Sequence, residues 1–401
     1  GKAWTYASLK ASYSLTADRG PASNSLAVFQ SFTPWRPSTS ANESAIILAA
    51  LENSELTYEK KNELNIGVAL GFVDNRINVE FDWYRRNNFD LIGYTQTMGV
   101  GGVTTKLAND ATMESTGCEF TISTTNIKTK DFKWTTDWIF GWAENTITKL
   151  DSRSQVYSLV NGVGRTEGRP IGALYSIPFA GLTEEGLPTF YIDAEHTQVV
   201  GPGNYADIYF QEYENIDYLK YEGTIDPKIT GSFGNTFSWK GLKLNVFFTY
   251  SFGNVLRLDN LCPVYSSDYS DLTASMKEMK NRWMVPGDEN VTTIPSIPTV
   301  RQMREIDALN NAYSAYNYST ERVAKGDFIR LKELSLAYDL PKKYFEGQNA
   351  VSSFGVKLSA TNLWLAYADK KLNGRDPEYY NTGGVSSPVP RQFTLTVKLG
   401  F

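Results

Sequence analysis

The sequence ends with Gln392-Phe393-Thr394-Leu395-Thr396-Val397-Lys398-Leu399-Gly400-Phe401, in which apolar and polar residues alternate. Successive side chains of a β-strand point to opposite faces, so this segment predicts a strand with one apolar and one polar face. Such a strand, closing on an aromatic residue, is typical of the last strand of an outer-membrane β-barrel. We therefore expect the same two-faced pattern in the rest of the chain.

The alternation recurs and predicts about ten strands, several of which reach the roughly 9 to 11 residues that a tilted strand needs to cross a bilayer. The clearest lie at 64–72, 77–83, 134–142, 242–252 and 393–401, and weaker ones at 4–15, 116–127, 228–239, 326–340 and 351–366. The alternation slips between Leu331 and Leu334, which predicts a β-bulge near Lys332.

The connections between these strands alternate between short and long. Short ones are predicted at 73–76, 128–131, 240–241 and 341–350, and long ones at 16–55, 93–115, 149–227, 254–325 and 367–389. Bacterial barrels have short periplasmic turns and long outer loops. Counting back from a periplasmic C-terminus, we expect every long loop to be extracellular.

Composition excludes several other classes. The chain has 401 residues, of which 41% are hydrophobic and 13% aromatic, yet its mean hydropathy is only -0.34. The sequence contains no uninterrupted run of about 18 apolar residues, so no transmembrane helix is predicted. The net charge of -5 comes from intermixed acidic and basic residues, so a nucleic-acid partner is not expected. Cys118 and Cys262 are too few for a disulfide scaffold and lack metal-ligand spacing.

Chemistry that would support catalysis is sparse. His196 is the only histidine, and it lies in the longest predicted loop beside Asp193 and Glu195. A hydrolytic site would need a base held beside a nucleophile, and histidine most often supplies that base. The sequence therefore predicts no catalytic residue, no metal site and no cofactor.

Six short motifs occur in one order along nearly the whole chain. They are Glu55-Leu56-Thr57-Tyr58-Glu59-Lys60, Asp74-Asn75-Arg76-Ile77 with Tyr84-Arg85-Arg86, Glu167-Gly168-Arg169-Pro170-Ile171-Gly172, Arg282-Trp283 before Pro286-Gly287-Asp288, the segment 326–341, and Thr361-Asn362-Leu363-Trp364 before Gly374-Arg375-Asp376-Pro377-Glu378. Together they resemble the SusC/RagA family of TonB-dependent outer-membrane transporters. Leu372, where the family usually has tyrosine, and Ser115-Thr116-Gly117, in place of an Asn-containing turn, depart from the pattern.

The resemblance implies an all-β fold, an antiparallel transmembrane barrel of about 22 strands around a plug. Residues 1–401 would form its C-terminal half, about ten strands, while the signal peptide, the TonB-contacting segment and the plug would lie in a part that this chain does not contain. Ten strands left open would expose two unpaired edges to lipid, which favours the same interpretation. A closed ten-stranded barrel is the alternative.

The function that the resemblance implies is active import of an oligomeric nutrient, glycan or peptide, across the bacterial outer membrane. Expected partners are a SusD-like surface lipoprotein acting as a lid, the TonB complex, the remainder of the barrel and outer-membrane lipid. The hydrated wall of the path is predicted to include Asn78, Glu80, Asp82, Lys243, Asn245 and Thr249. A passive porin and, more weakly, a ten-stranded barrel enzyme are the alternatives; we expect no enzyme.

Aromatic residues recur beside polar ones in the long loops. Tyrosine offers an apolar face for stacking on a sugar ring or a peptide side chain, and a hydroxyl that hydrogen-bonds in water. Some of these residues are therefore predicted to contact a ligand or the lid, although loops that pack on each other would use the same residues. The candidates are Tyr205, Tyr209, Phe210, Tyr213, Tyr218, Tyr265, Tyr269, Tyr313, Tyr316 and Tyr318.

Overall fold

One antiparallel sheet of ten long strands dominates the computed structural model, which describes residues 4–19, 26–33, 44–99, 102–261, 277–341, 344, 351–380 and 390–401. The strands are β1 (Trp4–Asp18), β2 (Glu59–Phe72), β3 (Ile77–Gln96), β4 (Thr105–Lys128), β5 (Phe132–Leu150), β6 (Ile229–Trp239), β7 (Leu242–Phe252), β8 (Phe328–Asp339), β9 (Ser353–Ala368) and β10 (Gln392–Gly400). Each pairs with its neighbours in chain order. All ten predicted strands are confirmed.

These ten strands, here called the barrel wall, do not close on themselves within the described residues. β1 pairs only with β2, and β10 pairs only with β9. The alternative of a closed ten-stranded barrel is therefore not what the described chain forms. Because neighbours are antiparallel, the five connections predicted to be long leave the strands at one end of the sheet, and the four predicted to be short leave at the other end.

The predicted loop at 93–115 is wrong in its extent. β3 continues to Gln96 and β4 begins at Thr105, so only residues 97–104 connect them. The pairing resumes beyond a register shift near Asp90, whose backbone has a φ of 60°. There the Asn109 Nδ2 donates to the Asp90 carbonyl oxygen over 2.6 Å. Main-chain pairing thus extends the hairpin past the alternating segment.

The predicted bulge at Lys332 is confirmed. On one side, Phe247 pairs with Glu333 and Phe248 with Leu331, so Lys332 has no partner on β7. On the other side, the pairing with β9 also shifts between Leu331 and Glu333, leaving residues 362–363 opposite this one position. Two adjacent ladders are therefore interrupted at the same height, which increases local twist and redirects nearby side chains.

A second region consists of short elements in the connections after β5 and β7. Its helices are α1 (Val156–Val160), α2 (Val300–Glu305) and α3 (Leu309–Asn317), with 3-10 turns at Tyr205–Asp207, Lys277–Asn281, Asp288–Asn290 and Thr320–Arg322. Its strands are Ala173–Ser176, Phe179–Leu182, Pro188–Tyr191, Val199–Val200, Lys220–Thr224, Val255–Arg257 and Val323–Lys325. Residues 151–227 and 254–325, where described, are here called the loop layer.

The loop layer has a hydrophobic core of its own. Val156, Ile177, Phe190 and Val200 are completely buried, and α3 buries Tyr316 beside them. The layer is joined to the top of β5, where the Ile147 N–H donates to the Arg169 carbonyl and the Gly168 N–H donates back to the Ile147 carbonyl. It is therefore a packed body seated on the wall.

Elsewhere the described chain has a hairpin of Val28–Phe32 with Ala45–Ala50 in the first long connection, and 3-10 turns at Lys370–Leu372 and Pro377–Tyr379 in the last. Among the described residues, no helix is long and apolar enough to cross a membrane.

Candidate functional site

The strand register places all six predicted lumen residues on one face of the barrel wall. Asp82 lies opposite Gly67 of β2 and Glu119 of β4, and Asn245 lies opposite Thr236 and Ser335. The same alternation carries Asn78, Glu80, Lys243 and Thr249 onto this face. The other face presents large apolar side chains such as Leu358, which is 52% exposed in the isolated chain. That the polar face lines a path remains a prediction.

A cavity of about 440 Å³ occupies this polar face over β6 to β10. Its lining includes Lys243, Asn245, Glu333, Lys357 and Lys398. Within it the Thr236 hydroxyl donates to the Asn245 Oδ1 over 3.1 Å, and the Lys357 ammonium lies 3.3 Å from a Glu333 carboxylate oxygen. Such partly exposed charges keep water along the wall.

Half of the loop candidates support the loop layer from inside. Tyr205, Tyr313 and Tyr316 are at most 3% exposed. The Tyr205 hydroxyl donates to the Pro188 carbonyl over 2.8 Å and the Tyr313 hydroxyl to the Ser296 carbonyl over 2.7 Å. Phe210 and Tyr318 pack edge to face, 6.1 Å apart, against the same core. In this structure the three buried side chains present no surface to a ligand.

Two of the other candidates meet at a cavity of about 430 Å³ on the loop layer. Tyr209 and Tyr218 line it together with four carboxylates, Asp193, Asp207, Glu212 and Asp217. Of these, the sequence drew attention only to Asp193, as a neighbour of His196. Tyr213 lies alongside, its hydroxyl accepting from the Gln155 Nε2 over 2.5 Å. The missed signal is the interleaving of acids with the tyrosines between residues 205 and 218. Tyr265 and Tyr269 lie outside the described residues.

The charge state of this cavity follows from its hydrogen bonds. The Thr197 N–H donates to Asp193 and holds the pKa of that carboxyl below its usual value, and main-chain donors of Glu214 and Tyr213 do the same for the pKa of Glu212. Burial, assisted by the charge of Glu212, raises the pKa of Tyr218 to about 12. At neutral pH the cavity is thus anionic, with neutral phenol rings that stack on ligands and carboxylates that accept from hydroxyl or ammonium donors.

His196 belongs to a tight turn. Its backbone φ is 56°, and its ring stacks on that of Tyr191 at 4.9 Å between centroids. The neighbouring Asp193 carboxylate accepts from Thr197 and Gln198. Across the part of the chain that the structure describes, no cluster of His, Cys, Asp and Glu is arranged to hold a metal ion.

Arg257 ties the two long connections of the loop layer together. Its guanidinium donates to main-chain carbonyl oxygens of three residues: Tyr175 (2.5 Å), Ser319 (2.9 Å) and Val160 (3.2 Å). Desolvation lowers the pKa of Arg257 to about 10, so the side chain remains charged at neutral pH. The packing of the loop layer therefore depends on both connections.

No protein-family model matches the chain. TonB-dependent receptor P3 of Formosa agariphila is 27% identical over 385 residues, covering 89% of this chain and 35% of that protein. TonB-dependent receptor P26 of the same organism is 26% identical, covering 90% and 36%. TonB-dependent receptor SusC of Bacteroides thetaiotaomicron is 34% identical over 99 residues, 24% of this chain and 10% of that protein. The chain thus spans about a third of the length of the receptors that it matches along most of its own length.

Among solved structures, the RagAB peptide transporter superposes with a TM-score of 0.72 at 23% identity, covering 100% of this chain and 41% of that chain. Its 'open-open' state gives 0.73 at 24% identity over the same shares. At this identity the likeness establishes the fold. The ten strands therefore have the fold of one part of a larger antiparallel outer-membrane barrel, and the relatives that match most of the chain are TonB-dependent receptors.

The matches to TonB-dependent receptor SusC and to the RagAB transporter agree with the resemblance of the chain's motifs to the SusC/RagA family. The relatives named above are receptors and transporters, which sets the barrel-enzyme alternative aside.

Proposed function

We propose that this chain is the C-terminal half of an outer-membrane importer that takes up an oligomeric nutrient, a glycan or a peptide, with energy passed through TonB. The observation that carries the proposal is the register of the barrel wall. It sets a continuous polar face, with Asp82 and Asn245 on it, against an opposite face of exposed apolar side chains. A sheet with lipid on one side and water on the other is what a transport barrel requires.

The rest of the protein is part of the proposal. The matched receptors are more than twice as long as this chain, and the outer edges of β1 and β10 have no partner among the described residues. Unpaired edges do not persist in lipid. We therefore assign the barrel's other strands, a plug, a signal peptide and a TonB-contacting segment to the remaining part of the protein.

The loop layer is assigned to the extracellular side, where a SusD-like lipoprotein would cover it. The exposed ring of Tyr209 and the carboxylates around it would then make first contact with ligand. The solved structure described as a peptide transporter makes peptides the first class to test. The anionic cavity suits ligands rich in hydrogen-bond donors, which both peptides and glycans are.

The test is uptake by cells that express the full-length protein. The probes are a fluorescently labelled tryptic digest and a labelled ladder of maltooligosaccharides, compared in the parent strain, a deletion strain and a strain with inactivated TonB. We expect accumulation of one probe class to be lost in the deletion and TonB strains. Accumulation that persists without TonB would support the passive porin instead.

Substitutions in the loop layer test where the ligand is first bound. Tyr209→Ala should reduce uptake at equal surface levels. The matched control is Tyr94→Ala, since Tyr94 is also strongly exposed but lies on β3, away from the cavity. Equal uptake by both variants would remove Tyr209 from the proposed capture surface.

A further inference from the structure

The segment after β9 folds back onto the polar face of the wall. Residues 369–380, here called the strap, contain the turns Lys370–Leu372 and Pro377–Tyr379. Asp369 accepts from the Lys325 N–H over 2.8 Å, and the Tyr380 hydroxyl accepts from the Asp259 N–H over 3.3 Å. The strap is thus joined at both ends to the connection between β7 and β8.

Ion pairs hold the middle of the strap to β8. The Arg330 side chain is only 5% exposed and pairs with Asp376. Its Nε lies 2.9 Å from a carboxylate oxygen of Glu378. Lys332 reaches the other Glu378 oxygen at 3.4 Å. Lys332 is the bulged residue, so the interruption of both ladders coincides with the place where the strap docks. Bulges commonly redirect side chains in this way.

The strap closes one side of a cavity of about 520 Å³ at the top of β6, β7 and β8. Phe328 and Tyr380 contribute apolar surface, and Asp226, Asn254, Lys332 and Glu378 contribute polar atoms. Glu378 pairs with both Arg330 and Lys332, so its negative charge is neutralised within the lining of the cavity. Asp226 has no ion pair within the described ranges.

Asn254, which also lines this cavity, supplies a second unpaired acceptor. Its Oδ1 is buried and accepts no hydrogen bond from any described residue, while its Nδ2 donates weakly to the Ile225 carbonyl at 3.4 Å. A buried acceptor left unpaired is unfavourable, and a donor that reached it from the cavity would relieve that cost. The cavity therefore offers one unpaired carboxylate, one unpaired amide oxygen and aromatic surface.

We propose that this cavity is a ligand subsite that takes a basic side chain of a peptide, and that Arg330 is the positioning residue that keeps the subsite formed by holding the strap. A lysine or arginine side chain carries an apolar stem for Phe328 and Tyr380 and a donor-rich cation for Asp226 and Asn254. A neutral donor such as a sugar hydroxyl carries no positive charge and so could not form an ion pair with Asp226. The inference rests on the proposed import function for its biological meaning, but the binding itself does not require transport.

The test measures binding to the purified full-length transporter in detergent. The probes are two fluorescent hexapeptides that differ only at the third position, lysine or norleucine, which has the same carbon stem without the charge. We expect wild type to bind the lysine peptide about tenfold more tightly. Asp226→Asn should abolish that preference while leaving the affinity for the norleucine peptide unchanged. Glu184→Gln removes an exposed loop carboxylate instead and should leave the preference intact.

The positioning role has its own readout. Arg330→Gln should speed amide hydrogen exchange in residues 369–380 and lower the lysine preference, whereas exchange in β1 to β4 should not change. If the strap exchanges as in wild type, Arg330 does not hold it and that part of the proposal is overturned.

The two proposals fail in different ways. A wild type without lysine preference, or an Asp226→Asn variant that keeps it, overturns the subsite whatever the cells import. Uptake that is independent of TonB, combined with an intact lysine preference, overturns the import proposal and leaves the subsite standing.

Discussion

The barrel wall and the loop layer use the same residue types in opposite ways. In the wall, Phe393 and Leu395 are 70% and 67% exposed on the lipid-facing side of β10, whereas in the loop layer Phe190 and Tyr205 are completely buried. The wall is held by main-chain ladders between antiparallel strands, and its apolar surface faces acyl chains. The loop layer excludes water from a core, as a water-soluble domain does. One chain thus satisfies two solvents, and substitutions should behave differently in each region.

The largest effect is expected for Tyr316→Ala in the loop layer. Tyr316 is 1% exposed, and its ring lies 5.7 Å from that of Phe179. Removing a buried aromatic side chain leaves a cavity and costs about 3 to 5 kcal/mol. Hydrogen exchange of the full-length protein should accelerate across residues 151–227 and 277–325 but not in β1 to β4. Equal acceleration in those strands would show that the two regions unfold together.

Neighbouring positions on β9 test the wall itself. Leu358 pairs with Leu336 and Leu395 on the apolar face, whereas Lys357 points to the polar face. Leu358→Lys should destabilise the full-length barrel in lipid vesicles by up to about 4 kcal/mol, depending on depth. Lys357→Gln should cost less than about 1 kcal/mol, since its pair with Glu333 is partly exposed. Denaturant unfolding followed by tryptophan fluorescence measures both, and similar losses would contradict the assignment of faces.

A smaller effect distinguishes buried from exposed tyrosines. Tyr205→Phe removes the hydrogen bond to the Pro188 carbonyl and should cost about 1 kcal/mol. Tyr209→Phe, at a side chain that is 57% exposed, should change stability by less than about 0.5 kcal/mol. Local exchange at residues 188–191 reports the difference. Protection unchanged by Tyr205→Phe would mean that this hydroxyl contributes nothing to the loop core.

The smallest effect depends on pH. The Thr197 N–H stabilises the ionised form of Asp193, so the pKa of Asp193 lies below 3.8 in the folded state. The stabilisation is present above the unfolded value and is lost as the pH falls through the folded value. Asp193→Asn should loosen the turn at 193–198 slightly at neutral pH and match wild type in strong acid. The ratio of variant to wild-type exchange at Thr197 measures this, and a ratio independent of pH would contradict it.

The same contrast explains what the sequence predicts well. Lipid on one side and water on the other impose a period of two, so all ten strands and the bulge at Lys332 can be read from the order of residues. The end of β3 and the beginning of β4 were not predicted. Residues 105–111 are paired through the main chain, but apolar and polar residues do not alternate there as they do in strands that contact lipid.

Burial within the loop layer could not be read in this way. Tyr205 and Tyr209 are four residues apart in similar surroundings, yet one is buried and the other exposed. Their positions depend on contacts between the connections after β5 and β7, which no local pattern encodes. The cavity that the strap closes was missed for the same reason, since its lining residues come from segments that are distant in the chain. The lining of the loop-layer cavity, in contrast, lies within residues 192–218, where the interleaved acids and tyrosines were the available signal.

The grip of Arg257 on Val160, Tyr175 and Ser319 has a mechanical consequence. The connections after β5 and β7 are held together at this residue, so we expect them to move together rather than separately. A force applied to either connection should be shared by both and transmitted to the strands that they join. A partner bound to the loop layer would therefore displace both connections together.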